Sequence, residues 1–122
     1  MKRLLVTADD VGLHPGMTAG ALAAHDGGLV TAVAVSPNGR SFDAAVPALR
    51  ERPALDVGAH LTLVGEAPLS PPAEVRSLVG RDGRLLAAWP VFARRWLLGR
   101  IRPDETEREL RRQIERLLAA GL

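Results

Sequence analysis

The sequence predicts an α/β fold built on a parallel βαβαβ unit. Three short apolar runs rich in β-branched residues, Leu4 to Thr7, Leu29 to Val35 and Asp56 to Leu63, alternate with two helical segments. The connections between them are short and made of turn residues. Alternation of that kind is the signature of parallel pairing with right-handed crossovers. A third observation concerns polar residues. Two adjacent carboxylates, Asp9 and Asp10, come directly after the first run, followed by Val11 and Gly12. In α/β folds the carboxyl ends of strands are where ligands and chemistry collect.

Each element follows from local chemistry. Leu, Val and Thr suit a pleated, buried strand, and Asp and Gly end it. After a loop at Leu13 to Gly16, an alanine-rich segment from about Met17 to His25 favours helix, because Ala is the best helix former. Asp26-Gly27-Gly28 stops it. Ser36-Pro37-Asn38-Gly39 is a turn cluster. Ser41 is placed to cap a second helix running to about Arg52, with Phe42, Ala45, Val46 and Leu49 on one face and Pro47 inside it. Beyond the third run the alternation breaks. Val64 to Pro72 reads as an excursion, and Arg81 to Arg84 as a turn. Trp89 to Leu98 reads as a short helix whose tryptophans pack inward. The last helix opens at Pro103-Asp104, with Asp104 as cap and Glu107 at capping-box spacing. Its apolar stripe is Leu110, Ile114, Leu117 and Leu118, with Glu and Arg on the other face. Gly121 stops it.

Composition narrows the function. A chain of 122 residues fits one domain, 1–122, large enough to bury a core. Apolar residues make up 47% and charged residues 25%, as in ordinary soluble proteins. The net charge of +2 is too small for a nucleic-acid footprint, and with 3% aromatics stacking on bases has little to work with. No cysteine is present, so there is no disulfide frame and no thiolate chemistry. The amino-terminal apolar run is too short for a signal peptide, and nothing approaches a membrane span. A cytoplasmic location follows as the expectation. No G-x-G-x-x-G follows a strand, and there is no phosphate loop or G-x-S-x-G elbow.

The residues left to carry chemistry are few. Adjacent carboxylates repel, so a protein that places Asp9 and Asp10 together supplies a cation or a proton for them to share; otherwise the pair is a plain turn. His60 lies late in the third run and must find partners for its ring nitrogens. It is either a satisfied core histidine or a ligand. In a closed parallel barrel alternate strands send side chains into one layer, which would bring His60 to the acids. A carboxylate with one or two imidazoles is a usual set for Zn²⁺ or a similar ion, and a second carboxylate then serves as general base. His14 falls in an exposed loop. His25 sits near a helix carboxyl end, where a cation suits the dipole.

Thr7-Ala8-Asp9-Asp10-Val11-Gly12-Leu13, Gly28-Leu29-Val30-Thr31, Asn38-Gly39 and Val57-Gly58-Ala59-His60-Leu61-Thr62-Leu63 together resemble the YdjC-like carbohydrate deacetylases. That family includes chitooligosaccharide and hopanoid-associated deacetylases. The resemblance implies a deformed (β/α) barrel, of which this chain is the amino-terminal part. It implies metal-dependent removal of N-acetyl groups from amino sugars or oligosaccharides, with Zn²⁺ or Mg²⁺ as cofactor. On the matching positions, Asp10 and His60 become metal ligands and Asp9 the catalytic base. Val11 stands where the family usually has Phe. The family's third ligand follows the helix that ends here near Gly121, so this chain is expected to be inactive alone.

Two other readings compete. A receiver of the response-regulator kind also carries an acid pair after its first strand. However, Asp56 begins its strand rather than ending it, and the only lysine is Lys2. A non-catalytic fragment or interaction module follows if the polypeptide ends at Leu122. The apolar edges of so small a sheet point to self-association.

Overall fold

Residues 4–122 are described by a computed structural model, and three strands in them pair in parallel in the order β1-β2-β3. The strands are β1 (Thr7–Val11), β2 (Ala32–Val35) and β3 (Asp56–Ala59). Helix α1 (Pro15–Asp26) crosses from β1 to β2, and α2 (Phe42–Arg50) from β2 to β3. Consecutive strand order with right-handed crossovers sets both helices on one face, and α1 does pack against β1 and α2. This is the parallel α/β unit that the sequence predicts.

The chain divides into two compact units. The first runs up to His60 and takes back Arg116–Leu122; the second is 61–115. The first owes its core to residues at alternate strand positions. Val33 and Val35 of β2 and Val11 of β1 are buried with Ala21 and Leu22 of α1 and Phe42, Ala45 and Leu49 of α2. Leu117 joins them from the last turns of α4 (Pro103–Ala119). The intervening positions, among them Thr7, Asp56 and Gly58, are exposed. The ladder also runs past the strand ends. Ser36 donates its N–H to the Val11 carbonyl at 2.8 Å, and His60 donates to that of Val35 at 2.7 Å.

Element boundaries moved. The first strand starts at Thr7 and contains the acid pair, while Leu4 and Leu5 are exposed. The second starts at Ala32 rather than Leu29, and the third ends at Ala59, one residue short of His60. Ladder pairing, not hydrophobicity, sets these ends. Ser41 holds the cap position of α2 but makes no side-chain cap bond. Gly121, at φ +69, ends α4 as expected.

The second unit has little regular structure besides α3 (Trp89–Leu97) and most of α4. Its apolar cluster is Val75, Leu78, Val79, Leu85, Leu86 and Phe92. Three expectations fail here. The buried stripe of α4 is Glu105, Glu109 and Gln113, continued by Leu117, whereas Ile114 and Leu118 are exposed. Glu109 accepts the N–H groups of Leu69 and Ser70 at 3.0 and 2.9 Å and the Gln113 amide at 2.9 Å. Gln113 in turn binds both the N–H and the C=O of Thr62. These side chains do for an irregular backbone what a neighbouring strand would do, so the polar stripe is the one buried. Trp89 and Trp96 are 65% and 63% exposed, not packed inward; Trp89 stacks on Phe92 at 5.6 Å. The capping box is absent too: Asp104 binds Arg102, and Glu107 binds Arg111 one turn on.

Candidate functional site

The acid pair is a β-bulge. Ala8 pairs with Val33 and Val11 with Val35, so Asp9 and Asp10 together oppose the single residue Ala34. A bulge breaks the alternation that would send neighbouring side chains to opposite faces, and re-aims one of them. Asp10 takes the strain. Its φ is +64°, the only positive φ at a non-glycine position among the described residues. Asp tolerates that conformation better than most residues, at a cost of about 1–2 kcal/mol. Strain held at a strand end is a recurrent mark of a functional position.

The strained turn brings Asp10 to His60. Asp10 Oδ1 lies 3.5 Å from His60 Nε2, with 38% and 33% of the two side chains exposed. Asp10 is on β1 and His60 directly follows β3, with β2 between them and roughly 9.6 Å across by two strand spacings, so their side chains meet over the end of β2. There Ser36 lies level with His60. Its hydroxyl is buried without a hydrogen bond, a state that is rare and costly. Asp9, the other acid of the bulge, is exposed.

Two loops set this geometry. Ser41 donates its N–H to the Gly12 carbonyl at 2.9 Å. A Cβ at Gly39 would collide with that same carbonyl group, so the loops after β1 and β2 meet where only glycine fits. Gly12 has φ +89° and donates to Thr18 Oγ1 at 3.1 Å. His14 is exposed and caps α1, its Nδ1 accepting the Gly16 N–H at 3.1 Å. His25 Nδ1 lies 2.8 Å from the Val30 carbonyl, which makes that nitrogen the protonated one. Neither of these histidines joins Asp10.

The spacing of the pair exceeds that of an ordinary hydrogen bond. An N–H···O bond spans 2.7–3.2 Å. Two donors at about 2.1 Å from a tetrahedral ion stand about 3.4 Å apart, close to the spacing here. A carboxylate oxygen and an imidazole nitrogen are also the donors that such ions take. Among the described residues no cluster of three His, Cys, Asp or Glu side chains forms, so this chain brings two donors together.

The profile of the YdjC-like protein family matches residues 3–122. The chain belongs to the YdjC-like family. Carbohydrate deacetylases of Listeria welshimeri and Brevibacillus brevis are 37% and 38% identical to it over 120 residues, 98% of this chain. Those alignments take in 47% and 45% of the relatives, so the chain spans about half the length of the curated relatives it matches. A solved structure of an Enterococcus faecalis protein assigned to cellobiose-phosphate cleavage superposes with a TM-score of 0.86 at 30% identity. That match covers 97% of this chain and 44% of the other. No helix among the described residues of this YdjC-like chain is long and apolar enough to cross a membrane.

Sequence reasoning missed the bulge, the Ser36 hydroxyl and the His14 cap. None of the three left a local signal: the bulge is defined only by the register of β1 against β2, a distant stretch of the chain.

Proposed function

We propose that Asp10 and His60 are ligands of a divalent metal, Zn²⁺ or Mg²⁺, in an enzyme that removes N-acetyl groups from amino sugars or chitooligosaccharide-like carbohydrates. The observation that carries this is the strained Asp10 aimed at the His60 imidazole at 3.5 Å. Membership of a family whose curated relatives are named carbohydrate deacetylases supports the substrate class. The parallel order with both helices on one face suits the opening of a deformed (β/α) barrel.

A bound divalent ion would supply Lewis-acid polarisation of the acetyl carbonyl and a lowered pKa for water. The chain's own residues do the rest. Asp10, on β1, and His60, directly after β3, would hold the ion between them. Asp9, displaced by the bulge and open to solvent, accepts a proton from the attacking water. The water oxygen bonds to the acetyl carbon, the proton taken by Asp9 passes to the departing nitrogen as the C–N bond breaks, and acetate and the free amine of the sugar are the products.

Calorimetric zinc titration and acetate release from an N-acetylated chitooligosaccharide test the proposal, using the polypeptide that carries this chain. Asp10→Asn keeps a residue tolerant of positive φ, and His60→Gln keeps a polar side chain. Each should weaken zinc by about 10-fold or more, the scale on which metal-site residues act, and abolish acetate release. Asp9→Asn should keep zinc affinity and lose turnover by about 100-fold or more. Unchanged turnover in Asp9→Asn removes it from the base role; unchanged zinc affinity in both other variants removes the metal site.

A further inference from the structure

A depression of about 450 Å³ in the second unit is lined by Arg76, Ser77, Arg95, Arg100, Arg102 and Glu105. It shares no residue with the Asp10–His60 site. From Gly83 to Pro103 the sequence places Arg84, Arg94, Arg95, Arg100 and Arg102 without a single acid. Two of the lining arginines have internal partners. Arg95 Nη1 donates to the carbonyls of Ser77 and Val79, both at 3.2 Å. Arg102 Nε donates to Asp104 Oδ1 at 3.3 Å and lies 3.6 Å from Glu105 Oε1. The side chains of Arg76 and Arg100 have no such partner among the described residues.

Gathering four guanidinium groups costs repulsion that an anion would relieve. We propose that this depression binds a phosphate monoester. Glu105 and Asp104 offset two of the four cations, and the remaining excess of two matches the charge of about −2 on a phosphate monoester at neutral pH. Guanidinium groups are the preferred donors to phosphate because their paired N–H groups match its oxygens. Ser77 adds a donor. Its hydroxyl oxygen accepts the Arg102 N–H at 3.0 Å, which leaves its own proton for a ligand. Glu105 does not block the site, since its Oε2 is engaged by the Ser77 N–H at 2.7 Å. The volume is that of small-molecule pockets and admits a phosphorylated sugar or a lipid headgroup.

The test titrates glucose 6-phosphate and inorganic phosphate onto the full chain by calorimetry, with co-sedimentation on phosphatidic acid or phosphatidylcholine vesicles alongside. Arg76→Gln/Arg100→Gln removes the two unpartnered cations. Arg111→Gln, in an exposed pair with Glu107, is the control. Saturable binding that falls about tenfold or more in the double variant, with the control unchanged, is expected; each charge-assisted contact is strong enough for that. Binding of the soluble probes assigns a small phosphorylated molecule, and binding of phosphatidic acid vesicles alone assigns a lipid headgroup. Phenylglyoxal labelling of the unaltered chain is a second readout, in which the bound probe should protect Arg76 and Arg100. No binding of any probe, equal binding by the double variant, or unprotected arginines overturns the proposal.

Discussion

In the sheet unit, the backbone of the strands is satisfied by backbone. β2 pairs on both sides, and the ladder continues to Ser36 and His60. Between 61 and 115 a few backbone bonds remain, as from Leu86 N–H to the Leu78 carbonyl, but side chains take over along α4. Glu105 takes the N–H of Ser77, Glu109 those of Leu69 and Ser70, and Gln113 both groups of Thr62. The two regions should therefore fail differently. An apolar core asks for volume and tolerates hydrophobic exchange. A buried polar network asks for particular atoms, and losing one leaves its partners unsatisfied.

Phe42 and Glu109 put that contrast to the test. Phe42 is 2% exposed, and Arg116 lies over its ring at 4.7 Å. Phe42→Ala should cost about 3–5 kcal/mol in urea unfolding, and Phe42→Leu less than about 1.5 kcal/mol. Glu109→Ala orphans two backbone N–H groups at about 1–2 kcal/mol each, roughly 3 kcal/mol together. Glu109→Gln should recover little, because an amide has one acceptor oxygen where the carboxylate has two. Amide exchange at Leu69 and Ser70 should rise in both Glu109 variants. If Glu109→Gln proved as mild as Phe42→Leu, the contrast between the regions would be gone.

The same difference explains what was legible beforehand. Val33, Val35, Phe42, Ala45 and Leu49 announce their burial by periodicity, so the parallel unit could be read from the sequence. The site was legible in part: Asp10 and His60 stood out as an acid at one strand end and a histidine near another. The bulge that turns Asp10 was not legible, because it arises from ladder registration between strands far apart in sequence. The α4 face was misread because the periodicity of Leu110, Ile114 and Leu118 is real. What buries Glu109 and Gln113 instead is the need of a strandless backbone for donors and acceptors, and no local pattern states that need.

The exposed apolar residues give a weaker test. Ile114 and Leu118 are 42% and 65% exposed. If the polar stripe holds α4, Leu118→Gln should change stability by no more than about 0.5 kcal/mol, as at ordinary surface positions. A loss of about 2 kcal/mol in urea unfolding would return the apolar stripe to the core.

The smallest effect expected lies at the rim of the sheet unit. Arg52 donates to Asp26 from Nε at 2.8 Å and from Nη2 at 2.7 Å. These hydrogen bonds, more than the charge of Arg52 itself, hold the Asp26 carboxyl below its ordinary value. A carboxyl depressed in the folded state adds stability above its unfolded pKa, and that contribution is lost as pH falls through the folded value. The pair therefore helps at neutral pH and ceases to help in acid. Solvent screens it, as it does most surface ion pairs, so the sensitive readout is local. An NMR titration of the Asp26 side chain should show a midpoint below that of a free aspartate, returning toward it in Arg52→Gln while the unfolding midpoint at neutral pH barely moves. Both salt links and buried carboxylates are acids with N–H partners; they differ in what replaces the lost partner. Water takes the place of Arg52 at Asp26, whereas the N–H groups of Leu69 and Ser70 have no such substitute once Glu109 is gone. A large shift of the unfolding midpoint in Arg52→Gln would mean that the sheet unit also rests on a polar clamp, and the line between the two regions would have to be redrawn.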